Sequence, residues 1–148
     1  MGRREIVETE YLVLIGVPRE SRDGETRVAA TPATVKQLLG LGYEVVVEAG
    51  AGQESHFDDN SYRAAGARIG TRPETWQADV VLKVNAPATA EIGYLNDGAT
   101  LVAMLSPSLH PDLVTALAQR PITALAVDAV PRISRAQSLD VLLSLIHI

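Results

Sequence analysis

Short apolar runs alternate with polar, helix-forming segments along most of the chain. The clearest helix start is Thr31-Pro32, a capping side chain followed by proline, which opens a helix to about Gly40. Six runs have the length and the composition of buried strands: residues 11–17, 43–48, 67–70, 79–84, 100–105 and 122–127. The alternation indicates βαβ units. It predicts an α/β, Rossmann-like three-layer domain with a mostly parallel sheet of about six strands.

Four shorter helical segments are predicted between the later strands. One is capped by Asp58 or Asp59 and runs through Ala65, and the following Gly66 ends it. The other three cover residues 73–77, 91–95 and 111–119.

The composition narrows the classes of function. The chain has 148 residues, of which 47% are hydrophobic and 21% charged, which excludes an intrinsically disordered protein. It contains no cysteine, so disulfide scaffolds, thiolate metal sites and a cysteine nucleophile are excluded. A net charge of −5 and an aromatic content of 4% argue against a nucleic-acid surface. The apolar runs are also far shorter than the roughly 18 residues of a membrane-spanning helix.

Three polar segments follow predicted strands: residues 18–31, 83–87 and 131–140. Ligands of open parallel sheets bind beyond the carboxyl ends of the strands. We therefore expect any ligand site to lie at this edge of the sheet.

The glycine turn at Gly50-Ala51-Gly52 is similar to a dinucleotide fingerprint but lacks its third glycine, where Ser55 stands. The next helix also begins too late to lie under a pyrophosphate. We interpret the two glycines as turn residues with positive φ. His56 and the two aspartates after Phe57 are interpreted as a surface histidine and a helix cap, and no metal site is predicted.

The densest polar run covers residues 132–140. Arg132 and Arg135 supply guanidinium groups suited to carboxylate or phosphate. Gln137 can both donate to and accept from a primary amide, and Asp140 shares its face if the run is helical. A solvated helix start, with a serine of the run as its cap, explains the same composition. The residues alone leave both interpretations open.

Five motifs together carry a family resemblance. Four of them are IGVPRE at 15–20, ETRVAATP at 25–32, VEAGAG at 47–52 and LKVNAP at 82–87. These resemble the N-terminal domain shared by alanine dehydrogenases and NAD(P) transhydrogenases. The fifth, DAVPRISRAQSLD at 128–140, resembles the branch of proton-translocating transhydrogenase alpha subunits. The resemblance covers about residues 12–142.

The resemblance implies an oxidoreductase site for hydride transfer between NAD(H) and NADP(H). Gln137 is expected to contact the nicotinamide or its ribose, while Arg132 and Asp140 orient the carboxamide, so these three are the expected catalytic residues. The residues expected against the cofactor are Arg132, Ile133, Ser134, Arg135 and Gln137. Hydride transfer between two bound rings needs positioning and water exclusion rather than a protein nucleophile, which agrees with this set.

The resemblance also implies partners and a location. The resemblance places Arg132, Gln137 and Asp140 on a loop against NAD(H), which would bind to the complete protein. NADP(H) would bind to a separate domain or beta subunit that docks over this loop. A homodimer of alpha subunits, cytoplasmic and peripheral to the inner membrane, is expected. The stretch alone is expected to be catalytically inactive, because the downstream NAD-binding domain with its glycine fingerprint lies beyond it.

Two alternative functions remain open. An alanine dehydrogenase-like oxidoreductase would use Arg27 and Lys83 for a substrate carboxylate, but the expected catalytic histidine after the fifth strand is replaced by Ser106. His110 lies four residues too late. A non-catalytic module could bind a small carboxylate with the same Arg27/Lys83 pair.

Arg27 and Lys83 also have a purely structural interpretation. They could form ion pairs with Glu20, Glu25 or Glu48.

The expected domain organisation has three parts. Residues 1–10 are a flexible extension, and residues 11–140 are the family domain, incomplete at its C-terminus. Residues 141–148 depart from the family pattern, since Leu143 stands where a serine is expected, and resemble translated adapter sequence.

Overall fold

Strands and helices alternate regularly in the computed structural model, which describes residues 12–107 and 110–127. The strands are β1 (Leu14–Val17), β2 (Glu44–Glu48), β3 (Arg68–Gly70), β4 (Val80–Asn85), β5 (Thr100–Met104) and β6 (Thr123–Ala126). The helices are α1 (Pro32–Gly40), α2 (Asp59–Ala65), α3 (Arg72–Trp76), α4 (Thr89–Ile92) and α5 (Pro111–Ala118). A 3₁₀ turn at Gln53–Ser55 precedes α2.

The strands form one sheet in the order β3-β2-β1-β4-β5-β6, and every pairing is parallel. This confirms the predicted α/β class and the six predicted strands. The chain order reverses between β1 and β4, which are neighbours at the centre of the sheet. Such a switch point opens a crevice at the carboxyl ends of the two strands, where ligands of this fold class bind.

Two apolar clusters cover the two faces of the sheet. Leu82 and Val102 belong to the cluster that includes the buried side chains of α1 and α2. Their neighbours Val81 and Leu101 belong to the other cluster, with side chains from α3, α4 and α5. Side chains alternate between the faces of a strand, so these memberships define three layers with the sheet in the middle.

The predicted caps explain where the first two helices begin and end. Thr31 accepts a hydrogen bond from the backbone N–H of Thr34 at 3.2 Å, and Asp58 accepts one from that of Ser61 at 2.8 Å. Gly66, with φ of 108°, closes α2 in the left-handed conformation. Helix α4 differs from the prediction, because it begins two residues earlier. Glu91, a residue of α4 itself, accepts a hydrogen bond at its Oε1 atom from the backbone N–H of Ala88, the residue before the helix. This contact fixes the start of the helix at Thr89.

The glycine turn corrects one prediction. Gly50 has the expected positive φ of 81°, but Gly52 has a φ of −99°. A side chain is excluded at Gly52 because a Cβ there would lie 2.6 Å from the hydroxyl oxygen of Tyr62. The second glycine is therefore required by close packing rather than by its backbone conformation.

None of the helices in residues 12–107 and 110–127 is long and apolar enough to cross a membrane.

Candidate functional site

The loop that follows β1 surrounds a cavity of about 270 Å³ at the carboxyl edge of the sheet. Its walls are residues 19–27 of this loop together with Ala51 and Glu54. The end of β4 and the first turn of α4 contact the same loop through hydrogen bonds to Glu20, Glu25 and Ser21. The cavity thus lies at the carboxyl edge of the sheet, beside the loop that follows β1, one of the two strands at the switch point.

Glu20 binds the loop to the end of β4. Its Oε1 atom lies 2.9 Å from Nζ of Lys83, and its two oxygens accept the backbone N–H groups of Val84 at 2.7 Å and Asn85 at 3.1 Å. The side chains of Glu20 and Lys83 are 3% and 1% exposed. The Lys83 ammonium also lies 5.8 Å from the ring centroid of Trp76. A buried carboxylate with three donors is fully paired, as burial of charge requires.

Asn85 joins two charged residues of the loop. Its Nδ2 atom donates to Oε1 of Glu25 at 2.8 Å, and its Oδ1 atom accepts from Nη1 of Arg22 at 3.1 Å. The Asn85 side chain therefore has one orientation of its amide that satisfies both neighbours.

Glu25 and Arg27 form a two-pronged ion pair on the wall of the cavity. Nε and Nη2 of Arg27 donate to the two Glu25 oxygens at 2.8 and 3.0 Å, and the backbone N–H of Arg27 donates to the same carboxylate. These hydrogen bonds from Arg27, with a smaller contribution from Asn85, outweigh partial burial and lower the pKa of Glu25 to about 2. The same hydrogen bonds raise the pKa of Arg27.

A second group of charges holds the beginning of the loop. Arg72, the first residue of α3, lies 3.4 Å from Glu48 at the end of β2 and 3.3 Å from Glu91 in α4. Glu48 accepts the backbone N–H of Arg19 at 2.8 Å, and Glu91 accepts the hydroxyl of Ser21 at 3.0 Å. One guanidinium thus neutralises two carboxylates that each anchor the loop.

The structure brings Arg27 and Lys83 to the same edge of the sheet, in line with the prediction. They differ in environment, because Lys83 is buried against Glu20 while the Arg27 side chain is 48% exposed. The ion pairs of the purely structural interpretation are present: Lys83 pairs with Glu20, and Arg27 pairs with Glu25. A shared carboxylate pocket formed by direct contact with both cations remains a prediction.

The carboxyl end of β5 carries Ser106, in a left-handed conformation with φ of 44°. His110 is exposed and stands at the N-cap position of α5, where its side chain makes no hydrogen bond to the helix. The other described histidine, His56, ends the 3₁₀ turn with φ of 67°. Asp58 caps α2, and Asp59 accepts the backbone N–H of Gly50. Within the described ranges, no three His, Asp or Glu side chains cluster as a metal site would require.

The residues that are predicted to contact and orient the nicotinamide lie outside the described residues. This applies to all of them: Arg132, Ile133, Ser134, Arg135, Gln137 and Asp140. The described chain reaches Val127 after β6, which runs parallel to β5.

Sequence reasoning missed three residues that organise the site, Arg72, Asn85 and Glu91, and it gave Glu20 only as one of three possible ion-pair partners. Glu20 and Asn85 follow or end buried strands next to each other in the sheet, and that position was the available signal. The Arg72 contacts join three elements that are distant in sequence, and no local pattern indicates them.

The family scan matches residues 16–148 to the alanine dehydrogenase/PNT, N-terminal domain model. The chain belongs to this family. It is 51% identical over 136 residues to the NAD(P) transhydrogenase subunit alpha of Haemophilus influenzae, covering 92% of this chain and 27% of that protein. The alanine dehydrogenase of Bacillus subtilis is 40% identical over 119 residues, 80% of this chain and 32% of that protein.

A solved structure agrees with these relationships. The crystal structure of transhydrogenase from Sinorhizobium meliloti superimposes with a TM-score of 0.78 at 43% identity, over 87% of this chain and 39% of that one. The chain therefore spans between a quarter and two fifths of the relatives that it matches.

Proposed function

We propose that this chain is the first part of an NAD(P) transhydrogenase alpha subunit, which in its complete form transfers hydride between NAD(H) and NADP(H) coupled to proton translocation. The observation that carries the proposal is the 51% identity to a transhydrogenase alpha subunit over 92% of the chain, against 40% to an alanine dehydrogenase over 80%. Ser106 at the end of β5 supports the same choice, since amination of a carbonyl requires an acid/base group there.

The residues proposed to act on the cofactor are Arg132, Gln137 and Asp140, with Ile133, Ser134 and Arg135 beside it. NAD(H) supplies the hydride when bound. An amide, a guanidinium and a carboxylate are the groups that can fix a nicotinamide carboxamide in one orientation. Their work would be to orient the ring and exclude water, because direct hydride transfer needs no protein nucleophile.

The partners follow from the same proposal. NADP(H) would bind on a separate domain or beta subunit that docks against the alpha subunit at residues 132–140. The alpha subunits would form a homodimer on the cytoplasmic side, at the periphery of the inner membrane.

The decisive experiment continues the reading frame beyond Ile148 and expresses the longer product together with its partner subunit. We expect hydride transfer from NADH to NADP⁺ without added amino acid. Alanine-dependent reduction of NAD⁺ would contradict the proposal and favour an amino-acid oxidoreductase. Binding of a small carboxylate with neither reaction would favour a non-catalytic module.

A substitution tests the proposed role of Gln137 in that longer protein. Gln137→Asn keeps the amide but withdraws it by one methylene. Loss of one directed hydrogen bond in the transition state should slow single-turnover hydride transfer by about two to three decades. NADH affinity should change much less. A tenfold weaker NADH affinity with an unchanged hydride rate would identify a binding residue instead.

A further inference from the structure

We propose that Glu20 is a positioning residue for the cavity: with Lys83, it holds the end of β4 in the conformation that orients Asn85, and through Asn85 it fixes the Glu25–Arg27 pair. The proposal deepens the proposed function, because the cavity belongs to the same edge of the sheet. Its test uses the 148-residue chain alone. Its failure is therefore distinguishable from failure of the transhydrogenase proposal.

An irregularity in β4 is the first observation. Leu82 pairs with Val102 of β5, and the next pair joins Asn85 to Met104. Two residues of β4, Lys83 and Val84, thus face a single residue of β5, which defines a β-bulge. A bulge re-aims the side chains that follow it and leaves backbone groups that need other partners.

Glu20 supplies those partners. The pairing of β4 with β1 covers Val80 and Val81, before the bulge. At the bulge, the Glu20 carboxylate accepts the consecutive N–H groups of Val84 and Asn85. Lys83, inside the bulge, neutralises the carboxylate at 2.9 Å. The buried ion pair therefore stabilises the backbone conformation from which the Asn85 side chain projects.

The contacts continue outward from this buried end to the cavity wall. Asn85 is 5% exposed and donates to Glu25, whose side chain is 8% exposed and holds the guanidinium of Arg27. Arg27 is the exposed end of the series, at 48%. An ion pair at that exposure is weakly ordered by itself. Asn85 connects the Glu25–Arg27 pair to the buried carboxylate of Glu20. This connection fixes the position of Arg27, which the ion pair with Glu25 alone would not do.

This arrangement gives Lys83 a role different from ligand contact. The ammonium acts on the cavity through Glu20, Asn85 and Glu25, and four successive contacts separate it from Arg27. A purely structural role for the buried pair makes a different prediction. Glu20 would then contribute to stability only, and Arg27 would be equally ordered in any variant that still folds.

The experiment measures solvent exchange of the Arg27 Nε–H by ¹H–¹⁵N NMR, with the signal assigned by its loss in Arg27→Lys. The test variant is Glu20→Gln, and the matched control is Asp79→Asn. Asp79 also accepts a strand N–H, that of Leu14 at 2.8 Å, but at the opposite end of β1 and β4. Both substitutions remove a carboxylate that joins the same two strands, so both should lower stability.

We expect exchange at Arg27 to rise at least about tenfold in Glu20→Gln and to stay unchanged in Asp79→Asn. Asn85→Ala leaves the Glu20–Lys83 pair in place and should produce the same rise. It is the test variant if Glu20→Gln does not fold. Unchanged exchange in the folded Glu20→Gln or Asn85→Ala variants would overturn the proposal. An equal rise in Asp79→Asn would overturn it as well, because stability alone would then control Arg27.

Discussion

The ammonium of Lys83 and the carboxylate of Glu20 meet at 2.9 Å, although 63 positions separate the two residues in sequence and both side chains are almost completely buried. The contact joins the loop after β1 to the end of β4, the two central strands of the sheet. Each charge can be buried only because the other one neutralises it. Lys83 and Glu20 have side chains of the kind that bind ligands, but here they pair with each other and support the loop around the cavity.

Removal of one partner should therefore cost more than removal of both. Lys83→Met leaves Glu20 buried without its cation and should lower the free energy of unfolding by about 3–5 kcal/mol. Glu20→Gln with Lys83→Met keeps an acceptor for one of the two backbone N–H groups and removes both charges. We expect this double variant to be more stable than Lys83→Met in urea denaturation. A double variant destabilised by the sum of the two single changes would contradict the pairing.

A second prediction concerns the contact between β1 and α3 at Gly16. A Cβ at this position would lie 2.0 Å from the carbonyl oxygen of Thr75, a backbone atom that cannot move without displacing the helix. Gly16→Ala should lower the free energy of unfolding by about 3 kcal/mol. Gly40→Ala is the control, since no atom within 4 Å opposes a Cβ there and the residue is helical. The control should be stabilised by about 0.5 kcal/mol in the same denaturation experiment. Similar effects of the two substitutions would show that the α3 contact is not tight.

Local patterns predicted the architecture because local interactions determine most of it. The Thr31 cap, the Asp58 cap and the Gly66 terminator act within a few residues, and each occurs where the sequence indicates it. The continuous apolar runs correspond to strands covered on both faces. The parallel direction of the strands follows from the helical segments between them, since such a crossover returns the chain to the same end of the sheet.

The site was less predictable because its contacts join distant parts of the chain. Nothing near Gly52 indicates that Tyr62 packs against it, and nothing near Lys83 indicates a buried carboxylate. The sequence showed the correct edge of the sheet and the charged residues there. It did not show which charges pair with each other, and this decides which guanidinium remains exposed.

The hydroxyl of Tyr62 provides a third prediction. It is fully buried and donates to the carbonyl of Ala30 at 2.7 Å, at the end of the loop that surrounds the cavity. Burial, and secondarily the charge of Asp59, raise the pKa of Tyr62, so the phenol remains a donor at all ordinary pH values. Tyr62→Phe leaves the carbonyl without this donor and should lower the free energy of unfolding by about 1–2 kcal/mol.

The control for Tyr62 is Tyr94→Phe, whose residue is 42% exposed. Thermal unfolding of this variant should differ from that of the wild type by less than about 0.5 kcal/mol. Equal destabilisation by the two substitutions would argue against the buried hydrogen bond.

The last prediction is the pH dependence that Glu25 confers. Its pKa is lowered from 4.5 to about 2 in the folded chain, chiefly by the hydrogen bonds from Arg27. A carboxylate with a depressed folded-state pKa stabilises the fold above its unfolded pKa. That contribution is lost as the pH falls from about 4.5 towards 2. Because Arg27 is half exposed to solvent, screening should reduce the effect to about 1–2 kcal/mol. Glu25→Gln should therefore be less stable than the wild type at pH 6 by that amount, and the difference should disappear near pH 2.

Glu54→Gln removes a carboxylate from the same cavity wall without removing the Arg27 pair, and should show no such convergence. Urea denaturation at several pH values measures both differences. A Glu25→Gln curve parallel to that of the wild type from pH 6 to pH 2 would show that the pair with Arg27 does not stabilise the fold.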